Sequence, residues 1–261
     1  MMKFLLPIFT LLALFGCDAT SDTNSSMETP AAIYNPAAEG FNEAGSDALA
    51  VAIADSVVVA YGGREAYDNN RFFEWNFFGV RSLTWDKLEK RVRIDFPAKK
   101  AVYLFDYDDK KGRVQLNGEE VTEPDSLDKY MAEAISMWIN DSYWLVHQFK
   151  LKDSGVTLKY VDDTPVDPQT SRPSYIIDQT FSEVGDTPGN RYRLYIDKET
   201  KKINTWQFFR EAGDEEAAMS TPWTGEKELN GILISTDRSG RFQLQDVATP
   251  LELDDAVFTE F

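Results

Sequence analysis

The residues able to do chemistry are few and scattered. The chain contains one histidine, His147, and one cysteine, Cys17. A histidine titrates near neutral pH and can act as a general base or bind a metal. His147 has no second histidine or free thiol beside it, and neither a G-x-S-x-G turn nor a G-x-x-x-x-G-K-[ST] phosphate loop is present. An active site needs several cooperating groups. His147 is therefore expected on the surface or at the rim of a cavity, and no catalytic residue, metal ligand or cofactor is assigned.

Four acidic clusters are the other candidates: Asp106-Tyr107-Asp108-Asp109, Asp162-Asp163, Asp214-Glu215-Glu216 and Asp254-Asp255. Paired carboxylates can hydrolyse glycosides, and clustered oxygens can hold calcium. In DYDDKKG (106–112), however, Lys110 takes the third ligand place and Gly112 falls one position late for a calcium loop. All four clusters fall near expected strand ends or turns, where solvated carboxylates are the ordinary case.

Charge narrows the partners further. With 27 basic and 44 acidic side chains the chain carries −17. Nucleic acid and polybasic membrane contact both require positive surface, so neither is expected. Excess acidity keeps a protein soluble and apart from its neighbours, and a monomer is expected.

Cys17 has a different context. Lys3 precedes an apolar run from Phe4 to Phe15, and Gly16 stands before the cysteine. That run suits the core of a secretory signal and is too short to span a bilayer. Leu14-Phe15-Gly16-Cys17 resembles a bacterial lipobox, which implies removal of residues 1–16 and acylation of Cys17. The mature chain then has 26 basic and 44 acidic side chains, a charge of −18. Residues 17–42 are mostly small and polar and read as a flexible tether. Residues 43–261 read as one domain, held at a membrane of the cell envelope and facing the periplasm or the cell surface.

The elements that must position any site are mostly strands. Val92, Ile94 and Phe96 alternate with Arg91, Arg93 and Asp95, and Tyr192, Leu194 and Ile196 with Arg191, Arg193 and Asp197. Period-two alternation marks antiparallel strands with one wet face. About ten or eleven strands are expected, separated by turns such as Asn117-Gly118 and Asp237-Arg238-Ser239-Gly240. Two helices stand out. One runs from Ser46 to Ala60 with Leu49, Ile53, Val57 and Ala60 on one side, capped by Ser46 and ended by Gly62-Gly63. The other follows Pro124 to about Ile139, with Asp125 and Asp128 as a capping box. After it, INDSYW is expected to turn, and WLVHQFKL and GVTLKY to rejoin the sheet.

One helix covers roughly two strands, so two helices cannot cover the apolar face of ten. The sheet must curl around that face. The expected fold is mainly β (α+β): a strongly curled antiparallel half-barrel with helices across its concave face. The order of signal, early helix, long strand and mid-chain helix resembles the lipoprotein-carrier (LolA/LolB-like) fold, which implies a concave face that takes up acyl chains. More closely, RFFEWNFFGVRSLTWD, WINDSYWLVHQFKLKDSGVTLKY, TPGNRYRLYID and INTWQFF resemble a family of uncharacterised bacterial envelope lipoproteins, which brings no activity with it.

Aromatic residues then decide between a filled and an open interior. Stripes such as Phe73-Trp75-Phe77 usually mean core. An open interior would instead form an elongated pocket between the concave face and the helix at 126–139. Its walls would be Trp75, Val92, Ile94, Phe96, Leu158, Leu194 and Trp206, with Met131 and Trp138 from the helix. Three functions remain: a membrane-anchored protein carrying a lipid or other apolar ligand, a structural or interaction lipoprotein with a filled core, and a carboxylate-dependent hydrolase. The first is the expectation, with no enzyme activity.

Overall fold

The computed structural model describes residues 33–162, 166–182, 188–240 and 242–261. The signal segment, Cys17 and the tether as far as residue 32 lie outside them. In chain order the elements are α1 (Ala48–Ala60), α2 (Arg64–Asn69), β1 (Phe72–Phe77), β2 (Arg81–Asp86), β3 (Arg91–Phe96), β4 (Ala101–Asp106), β5 (Lys111–Leu116) and β6 (Glu119–Glu120). They continue with α3 (Pro124–Val146), β7 (Val156–Asp162), β8 (Ser174–Phe181), β9 (Arg191–Asp197), β10 (Ile203–Phe209) and β11 (Met219–Pro222). The chain closes with β12 (Thr224–Leu229), β13 (Ile232–Arg238), β14 (Phe242–Ala248) and α4 (Ala256–Thr259).

The strands form two open antiparallel sheets, one of nine in the order β12-β13-β14-β1-β2-β3-β4-β5-β6 and one of five in the order β11-β10-β9-β8-β7. Only Trp223 separates β11 from β12, so one bent stretch passes from the small sheet into the large one. The Trp223 amide still bonds Asn204 O of the β10 side at 2.8 Å, and beyond it the chain pairs with β13. Gly225, the second residue of β12, follows directly in a left-handed conformation. It sits at φ +71°, and a Cβ there would lie 3.0 Å from Asp237 Cβ. The expected mainly β, antiparallel, helix-bearing architecture is present, with open sheets consistent with a curl, but with fourteen described strands instead of ten or eleven, and in two sheets. β6 and β11 have two and four residues, too few to display an alternation.

Helix α1 buries Ala50, Ile53, Ala54, Val57 and Val58, while Leu49, expected on that face, is half exposed. Ser46 does not cap it. Ser46 Oγ accepts the Leu158 amide at 3.0 Å, and the Asp47 carboxylate accepts the Tyr160 amide at 3.0 Å, so both residues moor the helix to β7. Residues 38–42, assigned to the tether by composition, are moored there too. Ala38 N bonds Lys152 O, Gly155 N bonds Gly40 O and Asn42 N bonds Val156 O, at 2.9 to 3.0 Å. The docked domain thus begins before residue 43, because backbone pairing holds a segment that has little apolar surface of its own.

Helix α3 runs through the expected turn to Val146, 23 residues in all. Its N-terminal amides at Asp125 and Ser126 donate to the Glu123 carboxylate at 3.2 and 2.8 Å, in place of the expected capping box. Asn140, Asp141 and Ser142 favour turns because their side chains compete for backbone hydrogen bonds. Here Arg81 on β2 grips the Asp141 carboxylate with two bonds of 2.6 Å, so the helix continues. The chain then enters a 3-10 turn at His147–Phe149 instead of a strand.

The outer face of the large sheet is not wholly wet. The C-terminal segment lies over it, with Phe258 stacked on Phe72 and Arg91 over the Phe258 ring at 4.7 Å. Arg93 and Arg113 donate to the carbonyls of Glu260 and Thr259 at 2.8 Å.

Candidate functional site

Helix α3 spans both sheets, and its two halves meet them differently. Trp138 packs into the large sheet against Trp85 at 4.7 Å, Tyr107 at 5.2 Å and Trp75 at 6.3 Å between ring centroids. Six residues on, Trp144 meets Trp206 of β10 at 5.1 Å, Phe78 at 5.2 Å and Trp223 at 5.9 Å. Between this second half of α3 and β8–β11 lies a cavity of about 720 Å³.

Eight of its lining side chains carry rings: Tyr143, Trp144, His147, Phe181, Tyr192, Trp206, Phe208 and Trp223. Met137, Ile139 and Met219 add aliphatic surface. The small sheet presents its rings by register, since Tyr192 pairs with Phe208 and Leu194 with Trp206 on one face. Tyr192 meets Phe181, Trp206 and Phe208 edge-on at 4.9, 5.0 and 6.0 Å. Rigid rings in edge-to-face contact hold their spacing and do not collapse into a gap as flexible aliphatic chains do.

The polar groups of the wall are Arg81, Ser136, Asn140, Asp153, Ser154 and Asn190, together with the tyrosines and His147. Asp141 behind Arg81 is fully buried, and burial pushes its carboxyl up while Arg81 opposes the shift. The 2.6 Å bidentate contact is that of an ionised pair. Asp153 pairs with Lys150 at 2.6 Å. Burial drives the Tyr143 phenol well above its ordinary range and that of Tyr192 up to about 12, so both are neutral.

His147 is 1% exposed, not a rim residue, although one edge of it lines the cavity. It follows a helix that did not end where expected, so it turns inward. Its Nε2 shares a 2.7 Å hydrogen bond with Gln179 Oε1, and burial, opposed by that bond and aided by the charges of Arg238 and Lys150, lowers its pKa to about 4. Among the described residues no group of three or more His, Cys, Asp or Glu is arranged to hold a metal ion.

Arg238, at the end of β13, is fully buried behind this wall. Nη2 donates to Trp144 O at 2.9 Å and Nη1 to Asp237 O at 3.2 Å, so the side chain covers the carbonyl end of α3, where a cation is favoured. Its guanidinium lies 3.3 Å from the Trp223 ring centroid. Burial lowers its pKa to about 9.

Of the nine residues named from sequence as cavity walls, Trp206 alone lines this cavity. Trp75, Val92, Ile94, Trp138, Leu158 and Leu194 are buried in the packed core. Phe96 is half-buried against that core, and Met131 lines a separate groove between α3 and the β4–β5 turn. Sequence pattern does not place Tyr143, Trp144 and Trp223 here, because the INDSYW stretch suits a turn and Trp223 falls between two strands. Tyr192 and Phe208 were within reach, as they share strand faces with Leu194 and Trp206.

No protein-family model matches the sequence and no curated protein matches it, so the expected envelope-lipoprotein family is not shown. Among solved structures the chain is similar to a DUF1329 family protein from Desulfovibrio piger, at 14% identity and a TM-score of 0.43, over 80% of this chain and 96% of that one. It is also similar to a putative outer membrane lipoprotein-sorting protein domain from Vibrio parahaemolyticus, at 8% identity and a TM-score of 0.42, again over 80% and 96%. MucB is a remoter neighbour, at 13% identity and a TM-score of 0.24, over 76% of this chain and 66% of that one.

Proposed function

We propose that this chain is a monomeric, non-enzymatic lipoprotein of the cell envelope, anchored through acylated Cys17, that binds a lipid or other apolar ligand beside the second half of α3. The cavity carries this reading. Its volume of about 720 Å³ lies within the roughly 300–1,000 Å³ of small-molecule sites, whereas voids in a packed core approach the size of a water. A chain of about 15 methylenes buried there gains roughly 12 kcal/mol, and association costs of about 4–15 kcal/mol leave a net suited to reversible carriage. A non-enzymatic role is supported by His147, which is neutral, buried and bonded to an amide instead of a carboxylate.

Native mass spectrometry with lipid extraction, on protein purified from its own membrane, is the direct test. A stoichiometric apolar companion is expected, together with binding of cis-parinaric methyl ester that Phe208→Asp weakens. Protein that carries no companion and ignores the probe would leave a structural lipoprotein. Cys17→Ser should abolish labelling by radioactive fatty acid. Persistent labelling would remove the anchor from the reading.

A further inference from the structure

We propose that the ligand is an anionic amphiphile whose charged end lies against Trp223, at the inner end of the cavity. This rests on the apolar-ligand reading above and adds the charge. Each charged residue in the cavity wall has its own counter-ion: Arg81 has Asp141 and Asp153 has Lys150. Arg238 differs. Among the described residues it makes no ion pair, Nε has no hydrogen-bond partner, and the side chain is fully buried. Asp237, its sequence neighbour, accepts the Gly240 amide with its carboxylate and acts on Arg238 only through space, without an ion-pair contact. The partners of Arg238 are the Trp144 carbonyl at the end of α3, where the helix carries about half a negative charge, and the Asp237 carbonyl of its own strand β13. A buried cation of this kind is costly unless a counter-charge completes it.

The place where a counter-charge fits is the far side of Trp223. The guanidinium covers one face of the ring at 3.3 Å, and Trp223 lines the cavity. A ligand atom in van der Waals contact on the other side would be about 7 Å from the charge. With an effective dielectric of about 20 and half the charge offset by the helix end, an anion there is favoured roughly tenfold over a neutral group. A cationic head is disfavoured to a similar degree. His147 and Tyr143, the titratable groups nearby, are neutral and add no competing charge. A chain with net charge −17 would otherwise repel anions, so the local field opposes the global one.

The test uses full-length protein and three ligands with one hydrocarbon body. Oleate, methyl oleate and oleylamine compete at pH 8 for bound cis-parinaric methyl ester, read by fluorescence. The expected order is oleate tightest, the ester about tenfold weaker and the amine weaker still. Arg238→Met should bring oleate and ester to near-equal affinity, while Arg238→Lys keeps most of the preference. Equal affinity of oleate and ester for the wild type would overturn the inference and leave the apolar reading standing. So would a preference that survives in folded Arg238→Met. Failure of the parinaric ester itself to bind would remove both. The wild-type ranking needs no variant, so it decides the matter even if Arg238→Met does not fold.

Discussion

Helix α3 lies on two antiparallel sheets of the same kind, yet its contact around Trp138 is filled and its contact around Trp144 is hollow. Toward the large sheet, Ala134 is buried with Trp138, whose ring closes on Trp75, Trp85 and Tyr107. Toward the small sheet eight of the seventeen residues around the cavity carry rings, and these meet one another across the opening. Both regions are rich in aromatic surface. What separates them is the shape of the side chains, not their hydrophobicity, and an apolar stripe in a sequence records only the second.

The largest effect should fall on the filled side. Trp138→Ala should cost about 3–5 kcal/mol in denaturant unfolding, because a large void opens among fixed rings. A cost under about 1.5 kcal/mol would show that side to be hollow too. Next is the pair joining helix to sheet beside the cavity. Arg81→Ala leaves Asp141 buried without its partner and should cost about 3 kcal/mol, while Arg81→Met with Asp141→Leu should recover most of it. A double variant as unstable as the single would mean that the pair does more than satisfy itself.

Acid sharpens the contrast. His147 has a folded pKa of about 4, below its ordinary 6.5. Between those values the unfolded chain binds the proton and the folded one does not, so stability rises with pH across this window and is lost as pH falls through it. Roughly 2–3 kcal/mol of loss is expected between pH 7 and pH 4, much of it absent in His147→Gln. A profile unchanged by that substitution would contradict the buried neutral imidazole. The Asp86 carboxyl, lowered to about 2 against burial by Arg71 and Arg91, acts lower, below about pH 4. The smallest stability effect belongs to the hollow side. Phe208→Ala should cost about 1 kcal/mol while weakening parinaric ester binding several-fold. Equal costs for Phe208 and Trp138 would erase the distinction between the two regions.

Alternation made the strands legible: Leu194 and Ile196 are fully buried, as their pattern implies, and Arg191 and Arg193 bind Asp178 on the opposite face. The division into two sheets was not legible, because it depends on one bend at Trp223. The length of α3 was hidden by Asn140-Asp141-Ser142, whose turn preference is overridden by an arginine 60 residues away. The cavity was displaced in the reading for the same reason. With the helix ended near Ile139, Tyr143 and Trp144 could not be placed opposite the small sheet.

The backbone segment moored along β7 gives the domain a mechanical handle. Its bonds run in the same sense as β7, from Ala38 on Lys152 through Gly40 and Asn42 to Asp47 on Leu158. Gly40, at φ +86°, presses so close to Ser154 that a Cβ would lie 2.6 Å from its hydroxyl. Asp153 and Ser154 form part of the cavity wall. Tension on the chain ahead of residue 38, applied along β7, would load these bonds in shear and bear directly on the loop at the cavity's edge. The stretch that composition marks as mere slack is therefore a lever whose short arm ends at the cavity wall.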